Sequence, residues 1–156
     1  EVDTYPLHPG FAASWNDLRA LLPVRPAVVI DAANVVGSVP DGWWRDRAGA
    51  AARLLDTIAA WAREAVDAGP LDLPEHRWFP EVHVVLEGAA RTASDIDGIR
   101  VVRAGGEGDG TIVESTTHLA RSGRSVTVIT SDRGLADRVR AGGASVRSVS
   151  WLREQL

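Results

Sequence analysis

Three hydrophobic, β-branched runs in this chain each stop at a carboxylate. Ala27-Val28-Val29-Ile30 ends at Asp31, Val82-His83-Val84-Val85-Leu86 ends at Glu87, and Val126-Thr127-Val128-Ile129-Thr130-Ser131 ends at Asp132. A fourth run, Ile99 to Val102, precedes Asp109, which opens a helical stretch. Such runs alternating with helical segments predict parallel strands of an α/β sheet. Open α/β sheets bind their ligands beyond the carboxyl ends of the strands. Acids at those ends therefore gather at the ligand edge, where like charges repel and call for a cation.

Composition narrows the function further. The chain has 156 residues, most simply one domain with a substantial core. Cysteine is absent, which removes disulfides, thiolate zinc sites and cysteine nucleophiles. Lysine is absent too: all 17 basic residues are arginine. A Walker-type phosphate loop and Schiff-base catalysis both need a lysine, so both are excluded. Receiver domains and haloacid-dehalogenase-like phosphatases, acid-cornered folds that also rely on lysine, are disfavoured. The net charge of −4 argues against a general nucleic-acid coat but not against an acidic centre rimmed by arginines. No apolar run approaches membrane-spanning length, and the N-terminus lacks a basic segment followed by an apolar core. The expectation is a cytoplasmic protein with no membrane partner.

Along the chain, residues 1–24 read as an irregular extension with one short helix, capped by Ser14 and striped by Trp15, Leu18, Leu21 and Leu22. The domain proper is expected over 25–156. Its first strand is predicted at 27–31, a loop at 34–42, a long helix from Trp43 to Ala68, and a connecting loop at 70–80. Strands follow at 82–86, 99–103, 125–130 and 145–149, with a polar link after Glu87. Helices are expected near 111–122 and 133–141, and a short one at the end. The order β-α-β-β-α-β-α-β gives a three-layer α/β/α sandwich with a mainly parallel sheet of about five strands.

Each acid has a plain structural reading beside the functional one. Asp31 can cap the turn that follows it, with Asn34 three residues on holding a carboxylate or a water. Asp132 suits a helix N-cap, with Thr130 and Ser131 offering hydroxyls and Arg133 a partner or phosphate contact. Gly105-Gly106-Glu107-Gly108-Asp109-Gly110 misses dinucleotide-fingerprint spacing by one residue, and its acids would repel a pyrophosphate. Metal delivery by Asp109 is the better reading, with the glycines letting the backbone bend. Glu114 faces either the cleft or solvent. An exposed Trp43 or Trp44 could stack on a base. The scattered histidines, His83 among them, lack ligand spacing, and His83 reads as a packed strand residue.

Three stretches taken together resemble one family. Asp31-Ala-Ala-Asn34, Gly-Glu-Gly-Asp109-Gly-Thr-Ile-Val-Glu114 and Thr-Ser-Asp132-Arg-Gly-Leu look like the NYN branch of the PIN-like nuclease superfamily, including the YacP-type RNases. The resemblance runs in order from about residue 27 to the C-terminus. It implies a Rossmann-like sandwich that binds Mg²⁺ or Mn²⁺ in an acidic pocket and cuts RNA, leaving 5′-phosphate and 3′-hydroxyl ends. Asp31, Asp109 and Asp132 are then the metal-site acids, with Asn34 supporting the first. Relatives often carry two adjacent acids where this chain has Asp109-Gly110, so Glu87, Glu107 or Glu114 would have to substitute. Arg91, Arg103, Arg133 and Arg138 are the arginines nearest the predicted cleft in sequence and the expected substrate contacts. RNA is the expected partner, and a homodimer is compatible with it. Two other readings stay open: a non-catalytic RNA- or protein-binding module with a degraded site, and a Mg²⁺-dependent hydrolase of small nucleotides.

Overall fold

The computed structural model describes residues 26–64, 66–67, 77–78 and 80–156. The short helix expected within 1–24 lies outside them. Five parallel strands form the central sheet: β1 (Ala27–Asp31), β4 (Glu81–Leu86), β5 (Arg100–Arg103), β6 (Val126–Ile129) and β7 (Ser145–Arg147), in the order β5-β4-β1-β6-β7. A separate antiparallel pair joins β2 (Val66–Asp67) to β3 (Arg77–Trp78). The helices are α1 (Ala32–Gly37), α2 (Arg47–Arg63), α3 (Gly108–Arg121), α4 (Arg133–Ala141) and α5 (Val149–Gln155), with 3₁₀ turns at Trp43–Arg45 and Gly88–Thr92.

Period-two alternation along the strands sorts their side chains into two cores. Val28, Ile30, Val82, Val84 and Leu86 pack with Leu55, Ile58 and Trp61 of α2 and with Leu152 of α5. On the opposite face Val29, Val85 and Val128 meet Ile112 and Leu119 of α3 and Leu135 and Val139 of α4. Fully burying each such side chain contributes about 1.5–3 kcal/mol, offset by the entropy of ordering the chain. The central strand β1 is buried along its whole length, as a parallel strand covered on both sides must be.

Local capping explains where the structure departs from the expected boundaries. The segment expected as a loop from Asn34 begins with α1, because the Asp31 carboxylate accepts from the Asn34 backbone N–H and starts a helix there. The long helix begins at Arg47 and not at Trp43, because Asp46 caps it by accepting from Gly49 N–H at 2.9 Å. It ends at Arg63 and not at Ala68; part of the stretch beyond lies outside the described residues. The expected loop 70–80 contains β3. The last strand stops at Arg147, where Ser148 accepts from Trp151 N–H and opens α5. The helix expected from residue 111 starts at Gly108.

Candidate active site at the carboxyl edge of the sheet

β1, β4 and β6 run parallel and end at one edge, so Asp31, Glu87 and the Thr130-Ser131-Asp132 turn arrive together. Asp109 joins them from the first turn of α3, after β5. An open cleft of about 640 Å³ is lined by Asp31, Asn34, Glu87, Asp109, Ser131 and Asp132, with Ala33, Gly37 and Ser38 completing its wall.

Asp31 is the innermost acid, only 7% exposed. Its Oδ1 accepts from the Asn34 backbone N–H at 3.1 Å and its Oδ2 from the Thr130 hydroxyl at 3.0 Å. Burial pushes its carboxyl above the ordinary aspartate range. The Asn34 and Thr130 hydrogen bonds pull it back, while the charges of Asp109 and Glu87 push it up again. Asp109 is half exposed and is also raised, first by burial and then by Asp132. The Arg138 guanidinium, 3.8 Å away, opposes that rise, and Glu87 and Glu107 add to it. The carboxylates of four separate segments therefore share one field.

Asp132 caps α4, its Oδ1 accepting from Leu135 N–H at 2.8 Å. Glu87 accepts from the Gly108 backbone N–H and so ties the end of β4 to the start of α3. That contact explains one glycine. A Cβ on Gly108 would stand 2.7 Å from Glu87 Oε2. The loop bends at Gly105 and Gly106, as expected, but without left-handed backbone: none of Gly105, Gly106, Gly108 and Gly110 has a positive φ. At Gly105, Gly106 and Gly110 a Cβ would meet open space.

Asn34 plays a different part from the expected one. Its side-chain Oδ1 accepts from Ser131 N–H at 3.0 Å, joining the β1 and β6 turns, and only its backbone reaches Asp31. Ser131 in turn accepts from Val149 N–H at 3.1 Å. Thr130, adjacent to the expected site residues but not among them, links two acids. Its hydroxyl donates to Asp31 and accepts from Asp132 N–H at 3.1 Å. The only sequence signal for it was a hydroxyl beside Asp132.

The remaining expected residues divide. Arg138 reaches the rim through Asp109. Arg133 lines a neighbouring depression with Ser131, Asp132, Arg140 and Ser148. Arg91 and Arg103 are not brought to the cleft. Arg91 donates to the Gly88 and Ala104 carbonyls, and Arg103 donates to the Arg91 and Ala93 carbonyls and pairs with Asp95. Glu107 is exposed beside Asp109, and Glu114 is exposed and does not line the cleft.

The donor set is carboxylate, amide and hydroxyl oxygen, which suits a hard divalent cation. Among the described residues no three acidic or histidine side chains already stand close enough to enclose a metal ion. Magnesium keeps several waters and takes only one or two carboxylates, so the donors fit a hydrated ion in an open cleft.

Comparison with known proteins supports the fold. No family model matches the chain, and no curated protein does. Two crystal structures of Rae1 (YacP) from Bacillus subtilis are similar to it, each at 18% identity and over 83% of this chain. One, a tryptophan-to-leucine mutant, is covered over 74% of its length with a TM-score of 0.63; the other is covered over 72% with a TM-score of 0.56. At this identity the likeness shows the three-layer PIN-like fold. No helix among the described residues is long and apolar enough to cross a membrane.

Proposed function

We propose that this chain, which shares the fold of Rae1 (YacP), is a metal-dependent ribonuclease that hydrolyses RNA phosphodiester bonds at the acidic cleft. One observation carries the reading: Asp31, Glu87, Asp109 and Asp132, from four separate segments, line one cleft at the sheet edge where this fold class binds ligands. Two of those carboxyls are raised first by burial and then by neighbouring acids, Asp31 by Asp109 and Glu87 and Asp109 by Asp132, Glu87 and Glu107, a pattern that supports the reading.

Asp31, Asp109 and Asp132 would hold a hydrated Mg²⁺ or Mn²⁺ ion, one or two of them directly and the rest through its waters, and the ion would supply an activated water and offset charge on the phosphoryl oxygens. The chain's own residues do the positioning. Thr130 and the Asn34 backbone N–H fix both oxygens of Asp31. Asn34 and Ser131 lock the β1 and β6 turns together, so Asp132 cannot drift from Asp31. Arg138 stands where a phosphate oxygen can replace Asp109 as its partner. The shallow depression around Arg133 and Arg140 offers a path for the flanking backbone.

A non-catalytic RNA-binding module is the second reading, favoured by the lack of a closed three-acid set among the described residues. Incubating a fluorescent RNA oligomer with Mn²⁺, with and without EDTA, separates the two. Cleavage should need the metal and fall about 100-fold or more in Asp31→Asn and Asp109→Asn. Equal cleavage by wild type and both variants would sink the nuclease reading, and intact RNA with all three proteins would select the module.

A further inference from the structure

Beside the acid cleft lies a smaller cavity of about 190 Å³. Its walls come from α1 (Ala32, Ala33, Val36), from α2 (Arg47, Ala51) and from the 3₁₀ turns (Trp43, Ala90), with Glu87 at its edge. Ala33 and Glu87 line both cavities, so the two adjoin. The alanines leave a slot without bulky groups. Trp43 and Arg47 furnish its aromatic and cationic surfaces, with the guanidinium carbon 5.3 Å from the Trp43 ring centroid. Trp44 meets Trp43 edge-on at 6.1 Å and is 53% exposed, extending the aromatic surface toward solvent.

We infer that this slot takes one unpaired base of a single-stranded RNA whose backbone runs through the acid cleft, and this rests on the cleft being where RNA is cut. A nucleobase is flat, apolar on its faces and polar on its edge. Those features match a tryptophan ring, a small-residue wall and a planar guanidinium donor, respectively. A strand in the acid cleft has its next nucleotide beside the shared Ala33–Glu87 wall. Arg47 offers a positive counter-charge on the Glu87 side of the acidic cleft. A paired base cannot enter, so the slot selects single strands over duplexes.

The test uses the full chain and 5′-fluorescein-labelled oligo(A) and oligo(U) RNA, bound in EDTA and followed by anisotropy. Trp43→Leu should weaken binding about tenfold, within the range found when a stacking aromatic is removed, and Trp43→Phe should recover most of the loss. Ala90→Leu, which adds bulk to the slot lining from the Gly88–Thr92 turn, should weaken binding while leaving Trp43 in place. Circular dichroism checks that each variant is folded. Binding of the same sequences as duplexes should be weak and indifferent to Trp43. The slot is overturned if folded Trp43→Leu and Ala90→Leu both bind single strands as wild type does, or if wild type binds none. Cleavage with Mn²⁺, run in parallel, keeps the readings apart. Trp43-dependent binding without cleavage removes the nuclease and keeps the slot. Cleavage whose KM ignores both substitutions does the reverse.

Discussion

The Thr130 hydroxyl donates to Asp31 Oδ2 at 3.0 Å, a buried bond between residues 99 positions apart. The Thr130 hydroxyl oxygen also accepts from the Asp132 backbone N–H. One side chain thus fixes the spacing of two of the acids at the sheet edge. Thr130→Val keeps the shape and removes the hydroxyl. It should cost about 1–3 kcal/mol, because a buried carboxylate oxygen loses its donor. Metal-dependent RNA cleavage should fall about 10–100-fold, as when a metal ligand loses its supporting bond. Thr130→Ser should restore much of both, measured by thermal melting and by oligomer cleavage.

Gly108 is required by the close approach of Glu87 and not by its own backbone angles. Gly108→Ala should push the Glu87 carboxylate off the start of α3. Cleavage should fall by about tenfold or more if Glu87 supports the site, the size expected when a supporting contact is lost. The melting temperature should change little, since alanine suits a helix better than glycine. A variant with wild-type cleavage would leave Glu87 as a helix tether only.

Gly110 faces open space, so an added carboxylate there meets no atom. Gly110→Asp places a second acid beside Asp109 in the first turn of α3, where the helix dipole favours negative charge. Mn²⁺ affinity, measured by calorimetry, should rise by about an order of magnitude because affinity follows ligand charge count. An unchanged affinity would mean that the ion does not sit over this turn.

At the far edge of the sheet, Glu81 gathers three cationic or polar partners. Its Oε1 lies 2.8 Å from both His83 Nε2 and Arg100 Nε, and its Oε2 accepts from Arg124 at 2.7 Å. Burial pushes this carboxyl up, but the hydrogen bonds from Arg124 and His83 and the charges of Arg124 and Arg100 outweigh it and hold it at about 2. The folded value lies below the ordinary 4.5. Its stabilisation is therefore full above pH 4.5 and is lost as the pH falls through about 2. Glu81→Gln should lower the melting temperature at neutral pH, by roughly 2–4 °C per kcal/mol lost. The gap from wild type should close as the pH drops through that window. A gap that does not narrow in acid would refute the charge-based account. His83, lowered mainly by burial, is the packed strand histidine that its sequence setting suggested.

Several features could be read directly. The β-branched runs gave the strands of the central sheet to within a few residues, because burial on both faces writes itself into consecutive apolar positions. Asp132 as a cap could be read too, since a cap is a bond between near neighbours. α1 was hidden by Gly37, Pro40 and the Asp41-Gly42 pair, strong turn signals that outweighed the Asp31 cap. Arg91 and Arg103 were placed at the cleft because they are near it in sequence. The carbonyls of the Gly88–Thr92 turn and its flanks needed donors, and these two arginines supply them.

The residue order alone therefore settled which segments form the central sheet, which acids end them and which chemistries the missing lysine and cysteine rule out. These depend on local pattern and composition, which need no knowledge of the fold. Strand order and register settled the rest: that Asp31 and Thr130 touch, that Asn34 staples two turns, and that Trp43 and Arg47 wall a slot next to the acids. Contacts between residues tens of positions apart arise from how the sheet pairs, and no local pattern carries that information.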